Sequence, residues 1–199
     1  GSSLGELQCE GAPRRARVCV ARVPRTVNSG RPSGALGRVD PPSTRFRDYT
    51  EGSLFRIAVP SNWRELAGSS AVTFAPNGAF GRVNGQDVFT HGVEVGLERA
   101  ERHDLADATD DFIRSLGQAN CRLERRSDTL ATVMAGRRAL QTTLGNVSDA
   151  TGQTELIQLV KTKLRDGSLF YLIGVCPEAD RRAYEGLFQQ VIQSVRIND

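Results

Sequence analysis

Alternating hydrophobic and polar positions dominate the first regular part of the chain, and this alternation is typical of β-strands. Phe55, Ile57 and Val59 share one face of a first predicted strand, which Pro60 ends. A second short strand is predicted in AVTFAP and a third in DVFTHGVEVGLERA. The third strand is predicted to carry on one face Phe89, His91, Val93, Val95 and Leu97.

The hydrophobic spacing then changes to three and four, which predicts two amphipathic helices. The first lies in HDLADATDDFIRSLGQAN, with Asp104 as its N-cap, an acidic first half that the helix dipole favours, and Gly117 as its stop. The second lies in EADRRAYEGLFQQVIQSVRIND, where Pro177 precedes the helix start. Its apolar stripe is predicted to contain Tyr184, Leu187, Phe188, Val191, Ile192 and Val195.

Several strands are predicted between the two helices. The sequence CRLERRSDTLATVMAGRRALQTTLGNVS indicates a short strand, a turn and a longer strand, and GQTELIQLVKTKLRDG indicates another. The segment SLFYLIGVCP is apolar throughout, as a central strand covered on both faces is, and Asp166-Gly167 before it indicates a tight hairpin. Short connections favour antiparallel pairing. The pattern therefore predicts an α+β fold, a mostly antiparallel β-sheet covered by helices on both faces.

The regular pattern begins near Phe46, which divides the chain into a leader of residues 1–45 and a domain of residues 46–199. The leader is rich in Pro, Gly and Arg and is predicted to be flexible. Residues 1–47 carry nine arginines against three acidic residues, a charge of +6 in a chain whose total is +3. A nucleic-acid-binding face needs basic residues clustered on a folded surface with aromatics for base stacking, whereas the leader's arginines are interleaved with Pro, Gly, Ser and Ala, so a nucleic-acid partner is not predicted.

The composition and motifs argue against several other classes of protein. No apolar run approaches the ~20 residues of a membrane-spanning helix. The four cysteines form no CxxC pair and have no spacing suited to zinc, and Cys121 and Cys176 fall in predicted strands as small buried hydrophobes. HExxH and the glycine-rich nucleotide motifs are missing from the sequence, and no GxSxG follows a predicted strand as a nucleophile elbow does. We therefore predict no catalytic residue, no metal and no cofactor for this chain.

One His-Glu pair nevertheless raises the question of a site. His91 and Glu94 are three residues apart in a predicted strand, and residues an odd number apart point to opposite faces. Because His91 shares its predicted face with apolar residues, a packed histidine is the favoured interpretation. A bulge at Gly92 is the alternative that would bring the two side chains together.

The glycine-rich segment 76–87 is predicted to be a loop that exposes Phe80 and Val83 and forms an edge for a partner. Trp63 is predicted to lie in a turn and to cover an edge of the core. An alternative hypothesis groups Trp63, Phe80, His91 and Glu94 around a cleft between sheet and loop with a small-ligand or hydrolytic role. Arg137 and Arg138 beside an apolar strand are a candidate contact for an acidic partner, although solvated edge charges explain them as well.

Three stretches of the chain resemble a known family: FRIAVPSNW, GRRALQTTLGNVSDATGQTELIQLV and LRDGSLFYLIGVCPEADRRAYEGLFQQVIQSVRIND. They are similar to the PsbP-like fold, which PsbP shares with the Ran-binding Mog proteins. The stretch from about Tyr49 to Asp199 resembles more closely the C-terminal domain that follows the catalytic domain in some bacterial HExxH zinc peptidases, especially of acidobacteria. The resemblance implies an accessory domain with a protein partner, such as an attached peptidase domain, and a cell-envelope or secreted location.

The chain departs from that peptidase family in its histidines. It contains only His91 and His103, so the zinc chemistry of such a peptidase would lie outside this chain. The leader does not resemble those peptidases either, which leaves a stand-alone protein, a fragment, or a reading frame that starts wrongly upstream of Phe46. The first hypothesis for function is thus a non-catalytic interaction domain; the alternatives are the small-ligand domain and a fragment of a zinc peptidase.

Overall fold

The computed structural model describes residues 36–68, 70–83, 86–99, 104–120 and 122–199. Most of the leader predicted for residues 1–45, together with Cys121 and His103, lies outside the described residues. The elements follow in chain order as β1 (Phe46–Glu51), β2 (Phe55–Pro60), β3 (Arg64–Ala67), β4 (Ala71–Ala75), β5 (Phe80–Val83), β6 (Gln86–Phe89), β7 (Gly92–Glu98), α1 (Leu105–Ala119), β8 (Glu124–Arg125), β9 (Leu130–Met134), β10 (Arg137–Val147), β11 (Thr154–Lys163), β12 (Leu169–Pro177), a short 3-10 helix (Glu178–Asp180), α2 (Arg181–Ser194) and β13 (Arg196–Ile197).

The main sheet is antiparallel and runs in the order β3-β4-β7-β12-β11-β10-β8, with β9 also paired to β10. Every residue of β12 is buried, because a layer covers each face of the sheet at this central strand. This agrees with the unbroken apolar run that marks β12 in the sequence. The α+β fold with helices on both faces is confirmed.

One face of the main sheet is covered by α2 and by a small sheet of order β1-β2-β13. Tyr184, Phe188, Val191 and Ile192 are the buried residues of α2, and they recur at helical spacing as the sequence predicts. They pack in one cluster with the alternating residues of β2 and with Val93, Val95, Phe170 and Leu172 of the main sheet.

The opposite face is covered by α1 and by the β5-β6 hairpin. Ile113 and Leu116 of α1 and Phe80 and Phe89 of the hairpin belong to a second core cluster with residues of β10, β11 and β12. Asp104 caps α1 as predicted, since its carboxylate accepts the Ala106 N–H at 2.8 Å. Neither helix is long and apolar enough to cross a membrane, within the residues that the structure describes.

Three local predictions are wrong. The segment 76–87 is not a loop, since β5 and β6 pair within it, and Phe80 is 4% exposed because this hairpin packs on the sheet. The predicted third strand is two strands: the chain breaks between β6 and β7, so Phe89 lies in the second core cluster and Val93 in the first. The α1 helix passes through Gly117 and ends at Ala119, with the C-cap Asn120 donating its side-chain amide to the Leu116 carbonyl.

Candidate functional site

A groove of about 300 Å³ lies between α2 and the end of the main sheet formed by β8 and β10. We call it the α2 groove and define it by its lining residues: Arg126, Ser127, Thr143, Leu156, Gln158, Cys176, Glu178, Arg181, Glu185 and Phe188. The groove lies on the same side of the sheet as the first core cluster, to which its residues Leu156, Cys176 and Phe188 also belong.

Strand register builds the floor of the groove. Thr143 of β10 stands directly opposite Gln158 of β11, and Leu156 of β11 stands opposite Cys176 of β12. Because paired residues of antiparallel strands point to the same face, these four side chains form one staggered patch across β10, β11 and β12. Half of this patch is polar on a face where the neighbouring strands carry core residues.

Hydrogen bonds hold the polar part of the floor in place. The Gln158 Oε1 accepts from the side-chain amides of Gln141 at 2.9 Å and of Gln189 on α2 at 3.4 Å. The Ser127 hydroxyl oxygen accepts the Thr143 N–H at 3.0 Å, and the Ser127 N–H donates to the Thr143 carbonyl at 3.2 Å. The segment after β8 is thereby fastened to β10, which fixes the wall of the groove opposite α2.

The α2 wall follows from helix geometry. Arg181, Glu185 and Phe188 are spaced by four and three residues, so they share one face of α2. Arg181 Nη2 lies 3.2 Å from Glu185 Oε1, and both side chains are about half exposed. An exposed pair of this kind contributes about 0–1 kcal/mol, so either partner is available to a bound molecule at little cost.

Arg126 supplies the charge on the other wall. Its Nε lies 3.1 Å from Glu124 Oε1 and its Nη1 lies 3.7 Å from Glu178 Oε1. A Cβ at Gly145 would come within 2.5 Å of the Arg126 Nε, so the glycine lets the guanidinium lie against β10. The rim of the groove therefore carries positive and negative charges side by side.

Cys176 is the one described cysteine, and its thiol is not an activated nucleophile. Burial, with smaller effects of nearby carboxylates, raises the pKa of Cys176 to about 12. A reactive cysteine needs the opposite shift, because the thiolate is the nucleophile. The Cys176 side chain is thus a small buried part of the groove floor, as the sequence predicts for this residue.

His91 is a structural residue at the junction of β6, β7 and α2. Its Nε2 lies 2.9 Å from the Asp180 Oδ2 and its Nδ1 lies 2.8 Å from the Thr90 hydroxyl oxygen. The ring packs against Tyr184 at a centroid distance of 5.3 Å, and Tyr184 stacks on Trp63 at 6.5 Å. Burial lowers the pKa of His91, against the opposing effect of the Asp180 carboxylate.

Glu94 lies on the opposite side of the sheet from His91. The Tyr171 hydroxyl donates to the Glu94 Oε2 at 3.2 Å, and Tyr171 belongs to the second core cluster. Gly92 and Val93 pair in continuous register with β12, so no bulge brings Glu94 back towards His91. This is the separation that strand alternation predicts.

The four residues of the predicted cleft do not meet. Trp63 and His91 lie on the α2 side, whereas Phe80 and Glu94 lie on the α1 side. Trp63 is 2% exposed and precedes β3, so it is a core residue and not a cover at the edge. The predicted turn around Trp63 is wrong in its second half, where Arg64–Ala67 forms β3 and pairs with β4.

The two arginines beside the apolar strand have different environments. Arg137 makes two hydrogen bonds to Asp199, at 2.7 and 3.0 Å, and these hold the pKa of Asp199 well below its usual range. Arg138 is exposed and stands opposite Val133 of β9. Arg137 is therefore occupied within the chain, and Arg138 is the one presented to solvent.

The α2 groove was missed by the sequence reasoning. Thr143 and Gln158 are polar residues on strand positions that face a mostly apolar layer, and that pattern was a usable signal. The sequence did not show which elements lie side by side. Arg126 and Arg181 line the same groove although they are 55 positions apart in the chain. In the described ranges, no group of three or more His, Cys, Asp or Glu side chains is placed to hold a metal ion.

Comparison with known proteins gives a fold and no close relative. No protein-family model matches this chain, and no curated protein is similar to it in sequence. Among solved structures, the Ran-binding protein Mog1p of Saccharomyces cerevisiae is 14% identical, with a TM-score of 0.56 over 79% of this chain and 97% of that one. Cyanobacterial PsbP from Synechocystis is 16% identical, with a TM-score of 0.55 over 84% of this chain and 99% of that one.

A third solved structure, a Pseudomonas aeruginosa protein of unknown function described as a putative regulator, is 11% identical, with a TM-score of 0.51 over 77% of this chain and 98% of that one. Identities this low show the fold alone. The chain has the fold that Mog1p and cyanobacterial PsbP share.

Proposed function

We propose that this chain is a non-catalytic protein-interaction domain that binds an extended segment of a partner protein in the α2 groove. The observation that carries the proposal is the patch of polar side chains on the groove floor, where Thr143 and Gln158 stand beside Leu156 and Cys176. A surface of this kind offers hydrogen bonds to a peptide main chain and apolar contacts to its side chains.

The shape and charge of the groove fit a peptide better than a charged small molecule. Its volume of about 300 Å³ is at the lower end of ligand sites, which suits a few side chains of a longer partner. Its rim carries Arg126 and Arg181 together with Glu178 and Glu185, so positive and negative charges are balanced there. Because these exposed ion pairs contribute little stability, a positive or a negative side chain of a partner can replace one member of a pair.

The environments of Cys176, in the groove floor, and of His91, outside the groove, support a role without catalysis. The Cys176 thiol has a pKa of about 12, and both ring nitrogens of His91 lie within hydrogen-bond distance of another side chain. A nucleophile or general base requires an accessible group whose pKa lies near neutral pH. The small-ligand alternative has less support, because the residues assigned to its cleft lie on opposite faces of the sheet.

The comparisons support the accessory role in general terms. The yeast protein with this fold binds Ran, so the fold serves a protein interaction in at least that case. Association with a zinc peptidase, and with it an envelope or secreted location, rests on the sequence resemblance alone. Its test is the reading frame upstream of this chain: an HExxH domain in the same frame supports the association, and its absence removes it.

The groove is tested with a phage-displayed library of random peptides panned against the full chain. Affinities of the enriched peptides are measured by fluorescence polarisation for the wild type and for Arg181→Glu and Thr143→Arg. We expect each variant to weaken binding at least about tenfold, because each alters the groove directly. Arg114→Glu is the matched control: its side chain is 70% exposed on α1, on the other face of the sheet, and it makes the same charge change.

Two results would contradict the proposal. In one, no peptide is enriched above a folded control protein. In the other, the enriched peptides bind Arg181→Glu and Thr143→Arg as tightly as they bind the wild type, which would place the interaction on another surface.

A further inference from the structure

Strand β9 is an exposed edge of the main sheet. It pairs with β10 on one side and with no other strand of the described residues. Within the described residues, the large hydrophobic side chains that are exposed are Leu130 at 61% and Val133 at 67%, and both belong to β9. Apolar side chains and unpaired main-chain groups therefore coincide on one five-residue strand.

The hairpin that joins β9 to β10 decides which main-chain groups face outward. Met134 stands opposite Arg137 across a two-residue turn, and both turn residues, Ala135 and Gly136, have positive φ angles of 54° and 72°. In such a turn the flanking pair is hydrogen-bonded, and the pairs alternate from there along the strands. The N–H and C=O groups of alternate residues, Ala131 and Val133, consequently point away from β10.

Charged residues and proline, two of the devices that protect a sheet edge, are absent from this strand. Residues 129–136 read TLATVMAG, with no charged residue and no proline. Natural edge strands are commonly blocked by an inward lysine, a proline, a bulge or a covering element. The outer side of β9 is thus able to accept another strand.

We propose that two copies of this chain associate by antiparallel pairing of their β9 strands about a two-fold axis at Thr132. This register sets Ala131 of each copy opposite Val133 of the other, so the outward main-chain groups of both residues pair reciprocally. Leu130 of each copy stands opposite Met134 of the other. One symmetry operation thereby gives both exposed apolar side chains of β9 a cross-strand neighbour.

The charges near β9 are compatible with this pairing. Asp128 is exposed and falls opposite Gly136 of the second copy, close to the hairpin that carries the exposed Arg138. The next charges outward, Arg125 and Arg126, are each paired with a carboxylate of their own copy, at 2.7 and 3.1 Å. Residues of equal charge are therefore not set directly opposite each other within the paired strands.

The pairing extends the main sheet across both copies. The two-fold axis of an antiparallel strand pair is perpendicular to the sheet, so both α2 helices lie on the same side. The two α2 grooves then open on one continuous face, which would let the dimer hold two segments of one partner. Self-association does not depend on the groove, and its test leaves the proposed function untouched.

Sedimentation velocity over a wide concentration range tests the association. Two five-residue strands form a small interface, so we expect a weak, reversible dimer whose fraction rises with concentration. Val133→Lys, which places two like charges at the junction, is expected to weaken the dimer at least about tenfold. Gln153→Lys adds the same charge at an exposed turn beyond the far end of β10, and it is expected to dimerise like the wild type.

A cysteine scan tests the register. In a background where the cysteines other than the buried Cys176 are serine, Thr132→Cys is expected to form a disulfide dimer under mild oxidation, because Thr132 faces itself in a non-hydrogen-bonded pair about 4.5 Å apart. Ala131→Cys faces Val133 and is expected to remain largely monomeric on a non-reducing gel. A monomer at all concentrations, a dimer that Val133→Lys does not weaken, or cross-linking through position 131 in place of 132 would each overturn the proposal.

Discussion

Glu155 is a buried carboxyl group whose ionisation is unfavourable in the folded chain. It is 5% exposed in β11, and the Asn146 side-chain amide donates to its Oε1 at 2.9 Å. Burial raises the pKa of Glu155 to about 7 from an ordinary value of 4.5; the charge of Asp149 adds to this shift and the Asn146 hydrogen bond opposes it. The folded chain therefore keeps this proton over a pH range in which the unfolded chain has lost it.

The sign of the stability change follows from proton binding. Between pH 4.5 and 7 the folded state binds more protons at Glu155 than the unfolded state does, so this group destabilises the fold as the pH rises through that window. A difference of about 2.5 pKa units at 1.36 kcal/mol per unit gives about 3 kcal/mol, reached in full above pH 7. The variant Glu155→Gln keeps the shape and an acceptor for Asn146 and removes the charge.

We expect Glu155→Gln to be about 2–3 kcal/mol more stable than the wild type at pH 8 and nearly equal to it at pH 4. Urea unfolding at several pH values between 4 and 8 measures the difference, and Glu124→Gln, whose side chain is 64% exposed, is the control for the same substitution at the surface. A Glu155→Gln variant that is less stable than the wild type at every pH, or whose difference does not change with pH, would refute the reasoning.

Three further predictions concern stability and reactivity. Lys161 is fully buried against Phe112 and bound to the partly exposed Glu98, and burial lowers the pKa of Lys161 to about 8. Lys161→Met is therefore expected to raise the free energy of unfolding at pH 7 by about 1–3 kcal/mol. A lower free energy of unfolding for this variant in urea would contradict the prediction. Ala135 has a φ of 54°, a left-handed conformation that asparagine adopts more readily than alanine. Ala135→Asn is therefore expected to stabilise the fold by about 0.5–1 kcal/mol and to raise the melting temperature. A lower melting temperature for this variant would show that Ala135 is not strained in the turn. The Cys176 thiol is expected to react with a thiol reagent at pH 8 more than about tenfold slower than free cysteine until denaturant is added, and rapid labelling of the folded chain would contradict its burial.

Local hydrophobic patterns predicted the elements that bury one continuous face. The stripe of α2 and the alternation in β2 are visible because each period lies within a short stretch of sequence. The same patterns failed where the chain changes partners. Between Phe89 and Gly92 the hydrophobic alternation continues in the sequence, yet the chain leaves the β5-β6 hairpin and enters the main sheet there. Phe89 consequently lies in the second core cluster, whereas Val93 lies in the first.

The candidate site shows the same division more strongly. The predicted separation of His91 from Glu94 is found in the structure, although His91 lies in the break before β7 and only Glu94 lies in the strand. Strand alternation did not reveal that Asp180, 89 positions away, binds the His91 ring. It also did not reveal that Phe80 is buried, since the apolar surface that covers Phe80 comes from distant strands.

The sequence by itself determined both helices, the strands with a clear alternation and the central position of β12, because these follow from short-range periodicity. The tertiary structure alone decided the α2 groove and the edge position of β9, which pairs only with β10 among the described residues. Both depend on which strands lie side by side and on how far α2 and its neighbours extend over the sheet. Those are long-range packing choices, set by the combined burial of residues that are far apart in the chain.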